Sequence, residues 1–432
     1  MSNLVRVVGA GLAGCEAAYQ LLKRGFEVEI IEMRPLKQTS AHTSADFAEL
    51  VCSNSLKSED EFTSSGLLKY ELKQLDCLLL KCADIARVEA GSALAVDRKK
   101  FSACVLNELK KFNNLTITIR EVVEIDESVP TIYATGPLTS DGLFSAISKI
   151  VGNALFFFDA VAPIVDASTI DTEKAFFQGR YDKGGADYLN CPMNKSEYDV
   201  FYKALIEAET VKLRDFEGAE VFEGCMPVEV MAKRGYDTMR HGMLKPMGLT
   251  DVRTNIAPFA VVQLRKETKE GSAYNMVGFQ TNLKFDEQKR VFSLIPALEN
   301  AEFLRLGVMH RNSYIRSPKH LDDTFKLIGH DNVYFAGQIT GVEGYVESIM
   351  SGLLVGIHLA RSLEGKLPLP PPTNTICGAL SNYVANENIS FQPMNSNFGI
   401  LPYLDIKNKV SRKKEYCLRA MREIIEWYKL II

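Results

Sequence analysis

The chain has 432 residues, of which 46% are hydrophobic and 24% charged, and its formal net charge is −4. This length allows two or three domains, because a single hydrophobic core seldom grows beyond about 250 to 300 residues. No run of about 18 uninterrupted apolar residues occurs, so the composition argues against a membrane span. The mild acidity argues against a protein coated in basic residues, but it does not exclude a local RNA-binding groove.

The nine cysteines include no CxxC pair and no Cys/His cluster at zinc spacing. Their odd number and scattered positions favour neither a disulfide framework nor a structural metal. The N-terminus runs directly into an apolar pattern, with no basic region and cleavable apolar segment before it. We therefore expect a cytoplasmic protein with no metal site and no membrane anchor.

Residues 5–35 read VRVVGAGLAGCEAAYQLLKRGFEVEIIEMRP, a pattern that predicts a strand, a glycine turn, a helix and a second strand. Gly9, Gly11 and Gly14 supply GxGxxG spacing, in which missing side chains let backbone N–H groups approach a pyrophosphate. The start of the following helix attracts the same anion. Glu32 ends the second strand, where it is placed to accept hydrogen bonds from ribose hydroxyls and disfavours a 2'-phosphate. The segment predicts a dinucleotide site.

Two later stretches predict further strands of the same nucleotide-binding sheet. Residues 131–136 read TIYATG and residues 332–337 read NVYFAG, and both end in small residues that let backbone pass close to a cofactor. The sequence therefore predicts an α/β fold, with a Rossmann-like domain split between residues 1–140 and 305–372. Residues 141–304 would form an inserted α+β substrate domain, and residues 373–432 a C-terminal extension packed on the nucleotide domain.

The sequence does not favour a pyridine-nucleotide disulfide reductase. Such enzymes need a second GxGxxG unit and a redox cysteine pair beside the flavin, and the chain contains one GxGxxG. Cys77 and Cys82 are spaced by four residues, but they lie in a leucine-rich helical run that is typical of a core.

Two other cysteines lie among small and polar residues. Cys52 is followed by Ser53 and Asn54, whose side chains favour loops and can hydrogen-bond a flavin or a base. Cys225 stands in Gly-Cys-Met-Pro, with Lys233 and Arg234 downstream to favour a thiolate. Taken alone, each cysteine is more typical of a buried, inert thiol.

Several long motifs together resemble the bacterial folate- and FAD-dependent tRNA uracil-5-methyltransferase family. In chain order they read FAELVCSNSL, ATGPLTSD, YLNCPM, FEGCMPVEVMAKRG, YNMVGFQT, EQKRVF, IPALENAEF, GVMHRN and YFAGQITGVEGYVES. The resemblance runs from Val5 to about Leu401. It implies methylation of C5 of the T-loop uridine, conventionally position 54, with 5,10-methylenetetrahydrofolate as carbon source, FAD as methylene carrier and reductant, and NADH or NADPH as electron donor. Related proteins modify the wobble uridine or a 23S rRNA uridine, and the latter is the alternative target.

The same resemblance assigns residues to roles. Cys225 would add to C6 of uracil and Cys52 would remove the C5 proton, although the two roles are interchangeable at this level. The residues expected to line FAD, the last three also near folate, are Gly9, Ala10, Gly11, Leu12, Ala13, Gly14, Glu32, Arg34, Asn54, Asp97, Gly136, Gly337, Gln338, Glu343, Gly344 and Tyr345. The residues expected to contact RNA or folate are Lys233, Arg234, Arg240, Lys245, Phe285 and Arg290.

The chain departs from the family pattern at two positions. Thr43 follows His42 where a second histidine is expected, and Phe285 stands where tryptophan is expected. Phe285 keeps a stacking face but lacks the indole N–H donor, so folate affinity or RNA choice is expected to differ from the typical member.

Two other functions compete with RNA methylation: a plain FAD oxidoreductase, and a flavin-binding RNA adaptor that works with a partner. We expect no obligatory protein partner.

Overall fold

The computed structural model describes residues 3–39, 41–152, 155–182, 187–211, 226–386 and 391–431. The strands in these ranges are β1 (Leu4–Val8), β2 (Glu27–Glu32), β3 (Ser55–Ser58), β4 (Arg87–Val88), β5 (Ala93–Val96), β6 (Leu115–Ile119), β7 (Thr131–Tyr133), β8 (Leu155–Ala160), β9 (Ile164–Asp166), β10 (Phe176–Phe177), β11 (Tyr188–Met193), β12 (Ala260–Lys266), β13 (Ala273–Met276), β14 (Phe303–Arg305), β15 (Met309–Tyr314) and β16 (Val333–Phe335). The α-helices are α1 (Leu12–Leu22), α2 (Ser64–Gln74), α3 (Leu78–Ile85), α4 (Arg98–Leu109), α5 (Asp141–Val151), α6 (Lys195–Glu207), α7 (Val228–Lys233), α8 (Thr238–His241), α9 (Phe285–Phe292), α10 (Tyr345–Leu363), α11 (Ile376–Ala385) and α12 (Lys409–Ile431).

A five-stranded parallel sheet in the order β16-β7-β1-β2-β6 forms the nucleotide-binding domain. Val5, Val7 and Val8 of β1 are buried, as the apolar run predicts for a central parallel strand covered on both faces. The pairing of β16 with β7 brings the C-terminal half of the chain into the sheet begun by the N-terminal half. The α/β fold class and the split of this sheet in the sequence are confirmed.

The long helix α10 packs against α1 at very short range. A Cβ on Gly352 would lie 2.1 Å from the carbonyl oxygen of Ala13, and one on Gly356 would lie 2.8 Å from Cβ of Gln20. Helix backbones approach this closely only where side chains are absent. Within the described ranges α10 is also the one helix long and apolar enough to cross a membrane, but 83% of its apolar window is buried inside the protein. It is the core helix of the nucleotide domain.

The inserted segment forms a six-stranded antiparallel sheet in the order β10-β11-β12-β13-β9-β14. Alternation along β12 sends Val262 and Leu264 into an apolar core that also contains residues of α6 and α9. Gln263 and Arg265 therefore point to the opposite face, together with Val261, which packs in a small apolar cluster with Phe176 and Leu249. A separate ribbon of β8 and β15 pairs the two chain segments that connect this sheet to the nucleotide domain.

The C-terminal helices α11 and α12 pack on the nucleotide domain, mainly against α2. Trp427 of α12 belongs to the core of that domain, and its indole N–H donates to the carbonyl of Leu369 at 3.0 Å. The last helix, α12, is 23 residues long and ends this extension. Cys77 and Cys82 are buried in the same core, in agreement with their interpretation as structural thiols.

Candidate functional site

A cleft lies at the carboxyl ends of the parallel strands. This edge is where nucleotides bind in open α/β sheets, because the strands end there and the following helices begin. The cleft is lined by Val8, Gly9, Gly11, Leu12, Ala13, Ile31, Glu32, Met33, Arg34, Thr39, His42, Glu49, Val51, Arg120, Glu121, Val122, Ala134, Thr135, Gly136, Pro137, Leu138, Thr139, Ser140, Leu143, Gly337, Gln338, Tyr345 and Ser348.

The three glycines of the first turn have three different surroundings. Gly9 has φ +101°, and a Cβ there would lie 2.6 Å from the carbonyl oxygen of Ala134. A Cβ on Gly14 would lie 1.9 Å from the carbonyl oxygen of Gly9, so this glycine lets α1 pack against the turn. A Cβ on Gly11 would meet nothing within 4 Å, which leaves the N-terminus of α1 open toward the cleft. This cradle fits the pyrophosphate of FAD.

Glu32 lies at the end of β2 with both carboxylate oxygens engaged. One accepts the N–H of Arg34 and its Nε–H, both at 3.0 Å; the other accepts the N–H of Ala10 at 2.9 Å and Nη2 of Arg34 at 3.3 Å. Burial opposes ionisation, but the hydrogen bonds and charge of Arg34 outweigh it and lower the pKa of Glu32. Glu32 is therefore an anionic acceptor that lines the cleft.

The structure brings most of the predicted FAD residues together along the cleft. Gly136 and Gly337 line it from the ends of β7 and β16 with φ values of +65° and +83°. Gln338 donates from Nε2 to the carboxylate of Glu343 at 2.8 and 2.9 Å, so Glu343 holds a lining residue without lining the cleft itself. Ala10, Gly14 and Gly344 are not lining residues either, but each is next in the chain to one that lines the cleft.

Asn54 and Asp97, in contrast, do not line the cleft. The amide of Asn54 donates to the carbonyls of Val96 at 3.1 Å and Lys266 at 2.9 Å, and its oxygen accepts from Arg265 at 2.9 Å. The Asp97 carboxylate caps α4 by accepting the N–H of Lys100 at 3.1 Å. The polar groups of both residues hold backbone around Cys52 and α4 in this structure, and their direct contact with FAD stays a prediction.

Cys52 lies beside the cleft and is partly exposed. Its N–H donates to the hydroxyl oxygen of Tyr345 at 2.8 Å, and the N–H of Ser53 donates to the same oxygen at 3.1 Å. Its Sγ lies 3.7 Å from the carbonyl oxygen of Ala160 at the end of β8. Arg98 donates from Nη2 to the carbonyl oxygen of Cys52 at 3.0 Å, so a largely buried guanidinium lies beside the backbone of this residue.

Cys225 lies outside the described residues. The described chain resumes at Met226, and Pro227 precedes the first turn of α7. Glu229 fixes α7 to the loop that follows β13. Its carboxylate accepts the N–H of Asn282 at 2.8 Å and the hydroxyl of Thr281 at 2.9 Å. Burial raises the pKa of Glu229 despite these bonds.

The predicted RNA-contacting residues fall into two groups. Arg240 lies 3.6 Å above the ring of Phe259 and pairs with Asp237 at 2.6 Å, and Arg290 pairs with Glu287 at 2.6 Å. These two guanidinium groups are thus already engaged in ion pairs within the inserted domain. Lys233 and Arg234 end α7, Lys245 lies in the loop after α8, and Phe285 begins α9 with 54% of its surface exposed.

The departure at Thr43 has a visible structural role. The N–H and hydroxyl of Thr43 both donate to Oε1 of Glu49 at 2.8 Å, and Oε2 of Glu49 pairs with Arg34 at 3.1 Å. Thr43 therefore anchors a chain of charges that reaches Glu32. Glu49 and residues 120–122 were missed by the sequence analysis, although the rule that parallel strands end at one edge would have indicated the residues after β6.

Comparison with known proteins identifies the family. The family described as Glucose inhibited division protein A matches residues 4–367. A protein of Acetivibrio thermocellus, Methylenetetrahydrofolate--tRNA-(uracil-5-)-methyltransferase TrmFO, is 53% identical over 431 residues, covering 99% of each chain. The chain belongs to this methyltransferase group of the GidA family. The protein of the same name from Staphylococcus carnosus is 51% identical over 424 residues, covering 97% of each chain.

The GidA fold extends over the whole chain. The crystal structure of Aquifex aeolicus GidA in its form II crystal aligns with 100% of this chain and 75% of that one, with a TM-score of 0.71 and 16% identity. At that identity the likeness concerns the fold alone. The family predicted from the sequence motifs is confirmed by the full-length methyltransferase relatives.

Proposed function

We propose that this chain methylates C5 of a uridine in tRNA, with 5,10-methylenetetrahydrofolate as carbon donor and FAD as bound cofactor. Relatives that match along the full length carry this activity in their names. The structural observation that carries the proposal is the hydroxyl of Tyr345, which lies at the nucleotide cleft and accepts the N–H groups of Cys52 and Ser53. One side chain thus joins the proposed cofactor site to a proposed catalytic thiol.

Residues of the nucleotide domain would hold FAD by its adenosine and pyrophosphate. Gly11 and the N-terminus of α1 offer backbone N–H groups to the pyrophosphate, and Glu32 offers a carboxylate to the ribose. Bound FAD supplies a carrier for the one-carbon unit and the hydride that completes the methyl group. Tyr345 would hold the backbone of Cys52 next to the cleft through its hydroxyl group.

The two thiols would act on the uracil ring. C5 of uracil is a poor nucleophile, and addition of a thiolate to C6 activates it. We assign this addition to Cys225 and removal of the C5 proton to Cys52, a general-base step worth about 10²–10⁴ in rate.

The proposed target is uridine 54 of the T-loop, because a loop base can be splayed out of its stack while a paired base hides C5 and C6. Lys233 and Lys245 would contact phosphates, and the exposed ring of Phe285 offers a stacking face. NADH or NADPH would supply electrons, and the enzyme would work in the cytoplasm without an obligatory protein partner.

The test uses unmodified tRNA, NADH or NADPH, and methylenetetrahydrofolate labelled in its methylene carbon. Label should enter 5-methyluridine at position 54, and a transcript with cytidine at that position should take up none. A parallel reaction with S-adenosylmethionine labelled in its methyl group should transfer no label, and transfer from that donor alone would refute the mechanism. A 23S rRNA fragment in a parallel reaction tests the alternative target, and oxidation of NADH without any RNA methylation would indicate a plain flavin oxidoreductase.

A second experiment separates the roles of the thiols. RNA carrying 5-fluorouridine at the target position should trap the enzyme, because fluorine at C5 cannot leave as a proton. Mass spectrometry of the adduct then identifies the cysteine bonded to C6. We expect Cys225, and an adduct at Cys52 would exchange the two assignments.

A further inference from the structure

Residues 52–54, called here the thiol loop, are held from both domains, by backbone contacts from one and side-chain contacts from the other. From the nucleotide domain, Tyr345 accepts two of its N–H groups and Arg98 donates from Nη2 to the carbonyl of Cys52 at 3.0 Å. From the inserted domain, Arg265 donates to the hydroxyl of Ser53 at 2.7 Å and to the amide oxygen of Asn54 at 2.9 Å. The loop therefore lies at the junction of the two domains.

Arg98 is the residue that connects these two sets of contacts. It is the first residue of α4, and its guanidinium pairs with Glu267 of the inserted domain at 2.9 and 3.2 Å. The remaining N–H groups donate to the carbonyls of Leu50 and Cys52, on both sides of the thiol. The two side chains are only 17% and 6% exposed, so solvent screens the pair weakly.

A guanidinium suits this position because its planar fork binds a carboxylate through two N–H groups while others point elsewhere. An ammonium on a flexible stem cannot keep the same three partners in fixed directions. Glu267 follows the last residue of β12 and its own N–H donates to the carbonyl of Ala273, so the carboxylate is anchored to the inserted sheet.

We propose that Arg98 and Glu267 are positioning residues that set the backbone of Cys52 according to how the inserted domain docks on the nucleotide domain. The proposal rests on the proposed role of Cys52 in proton removal. Neither residue touches the base: Glu267 orients Arg98, and Arg98 fixes the carbonyls that flank the thiol. When RNA binds to the inserted domain, it would thereby influence the position of a thiol that belongs to the nucleotide domain.

Two further ion pairs join the same domains and provide matched controls. Lys100 pairs with Glu270 at 2.6 Å and Lys266 pairs with Glu89 at 2.8 Å. Glu270 and Glu89 are 66% and 70% exposed, and their side chains make no described contact with residues 50–54. Removing either charge tests the loss of an interdomain pair without loss of the contacts to the thiol loop.

The experiment compares Glu267→Gln and Arg98→Lys with Glu270→Gln and Glu89→Gln in the full-length holoenzyme. A displacement of about 1 Å at a reacting group can cost about 10²-fold in rate, so we expect kcat to fall by one to two orders of magnitude in the first two variants. KM for tRNA and flavin absorbance should stay at wild-type values. The controls should remain within about twofold of wild type, as is usual for exposed pairs.

A second readout does not depend on methylation. The rate at which iodoacetamide alkylates Cys52, mapped by peptide mass spectrometry over a pH series, should shift in Glu267→Gln and Arg98→Lys and remain at wild-type values in the controls. If Cys52→Ala methylates normally, the role of Cys52 fails, while the alkylation profile still reports whether Arg98 sets its environment.

The charge swap Arg98→Glu with Glu267→Arg distinguishes positioning of the thiol loop from a simple ion pair between the two domains. It restores the interdomain pair but removes the donors to the carbonyls of Leu50 and Cys52, so we expect a folded, flavin-bound and slow enzyme. Full recovery of kcat in the swap, unchanged alkylation in Glu267→Gln, or loss of flavin from both single variants would each overturn the proposal.

Discussion

The carbonyl oxygen of Gly9 lies 1.9 Å from the position that a Cβ of Gly14 would occupy. Real Cβ atoms do not come this close to backbone, so Gly14→Ala must separate the first turn of α1 from the strand that precedes it. We expect this variant to lose at least about 1–3 kcal/mol of stability, the usual cost of overpacking, and to show a lower melting temperature.

Gly11 gives the contrasting result at the same turn. A side chain there meets open space, so Gly11→Ala should fold normally, and Gly11→Asp should fold but repel the pyrophosphate and purify without yellow colour. Melting temperature and flavin absorbance measure the two effects separately. A fully flavinylated Gly11→Asp protein would show that the pyrophosphate binds elsewhere.

Cys52→Ala is expected to abolish methylation while FAD remains bound, and Cys225→Ala should do the same. Cys191→Ala serves as the control, because that thiol is buried in the core of the inserted domain. It should lower stability by about 1 kcal/mol and spare turnover. Labelled RNA, flavin content and melting temperature are measured for all three variants; near-normal methylation by either of the first two would remove that residue from the mechanism.

Glu71 predicts a pH-dependent contribution to stability. It is fully buried, and its carboxylate accepts the N–H groups of Ile376 and Cys377 at 2.8 Å at the start of α11. Burial outweighs these bonds and raises the pKa of Glu71 to about 7. Because the folded-state pKa exceeds the unfolded value, the contribution is complete below about pH 4.5 and is lost as pH rises to about 7.

Glu71→Gln removes this titration. The stability of the wild type relative to the variant should fall between about pH 4.5 and 7, by at most about 1.4 kcal/mol per pH unit, and stay constant above that. Melting temperatures of both proteins across this range provide the measurement. Parallel profiles would mean that Glu71 titrates in the folded protein as it does in the unfolded chain.

RNA binding should depend on Lys233 and Lys245 more than on Arg240. Replacing both lysines with Glu should weaken tRNA binding and reduce the slope of log Kd against log salt by about one per lost phosphate contact, with flavin unaffected. Arg240→Ala should instead lower stability, because its guanidinium stacks on Phe259. Lys110→Glu combined with Lys111→Glu, two exposed positions on the nucleotide domain, is the control with the same change in net charge. Equal losses in the control would assign the effect to net charge.

Much of the nucleotide domain was predictable because its signals are local. The order strand, GxGxxG, helix, strand and acid lies within residues 5–35, and each part has a direct physical reason to be there. The small residues at the ends of β7 and β16 gave a weaker signal, but the parallel sheet could be assembled from them.

The contacts that Asn54, Asp97 and Arg98 make within the protein were not predictable from the same patterns. Two partners of Asn54, Arg265 and Lys266, are over 200 residues away in the chain. Arg98 pairs with Glu267 across a similar separation. Contacts of this range depend on how two domains dock, and no local periodicity encodes that.

The return of the chain to its first sheet has a consequence for synthesis. Strand β7 ends at Tyr133 and its neighbour β16 begins at Val333, an interval of roughly 10–40 s at ordinary bacterial elongation rates of about 5–20 residues per second. During that time all strands of the inserted sheet leave the ribosome, whereas the face of α1 that packs on α10 has no partner. The domain that begins first on the ribosome is therefore completed last, and the nascent chain carries an unburied apolar helix face, open to chaperones and to aggregation, until α10 emerges.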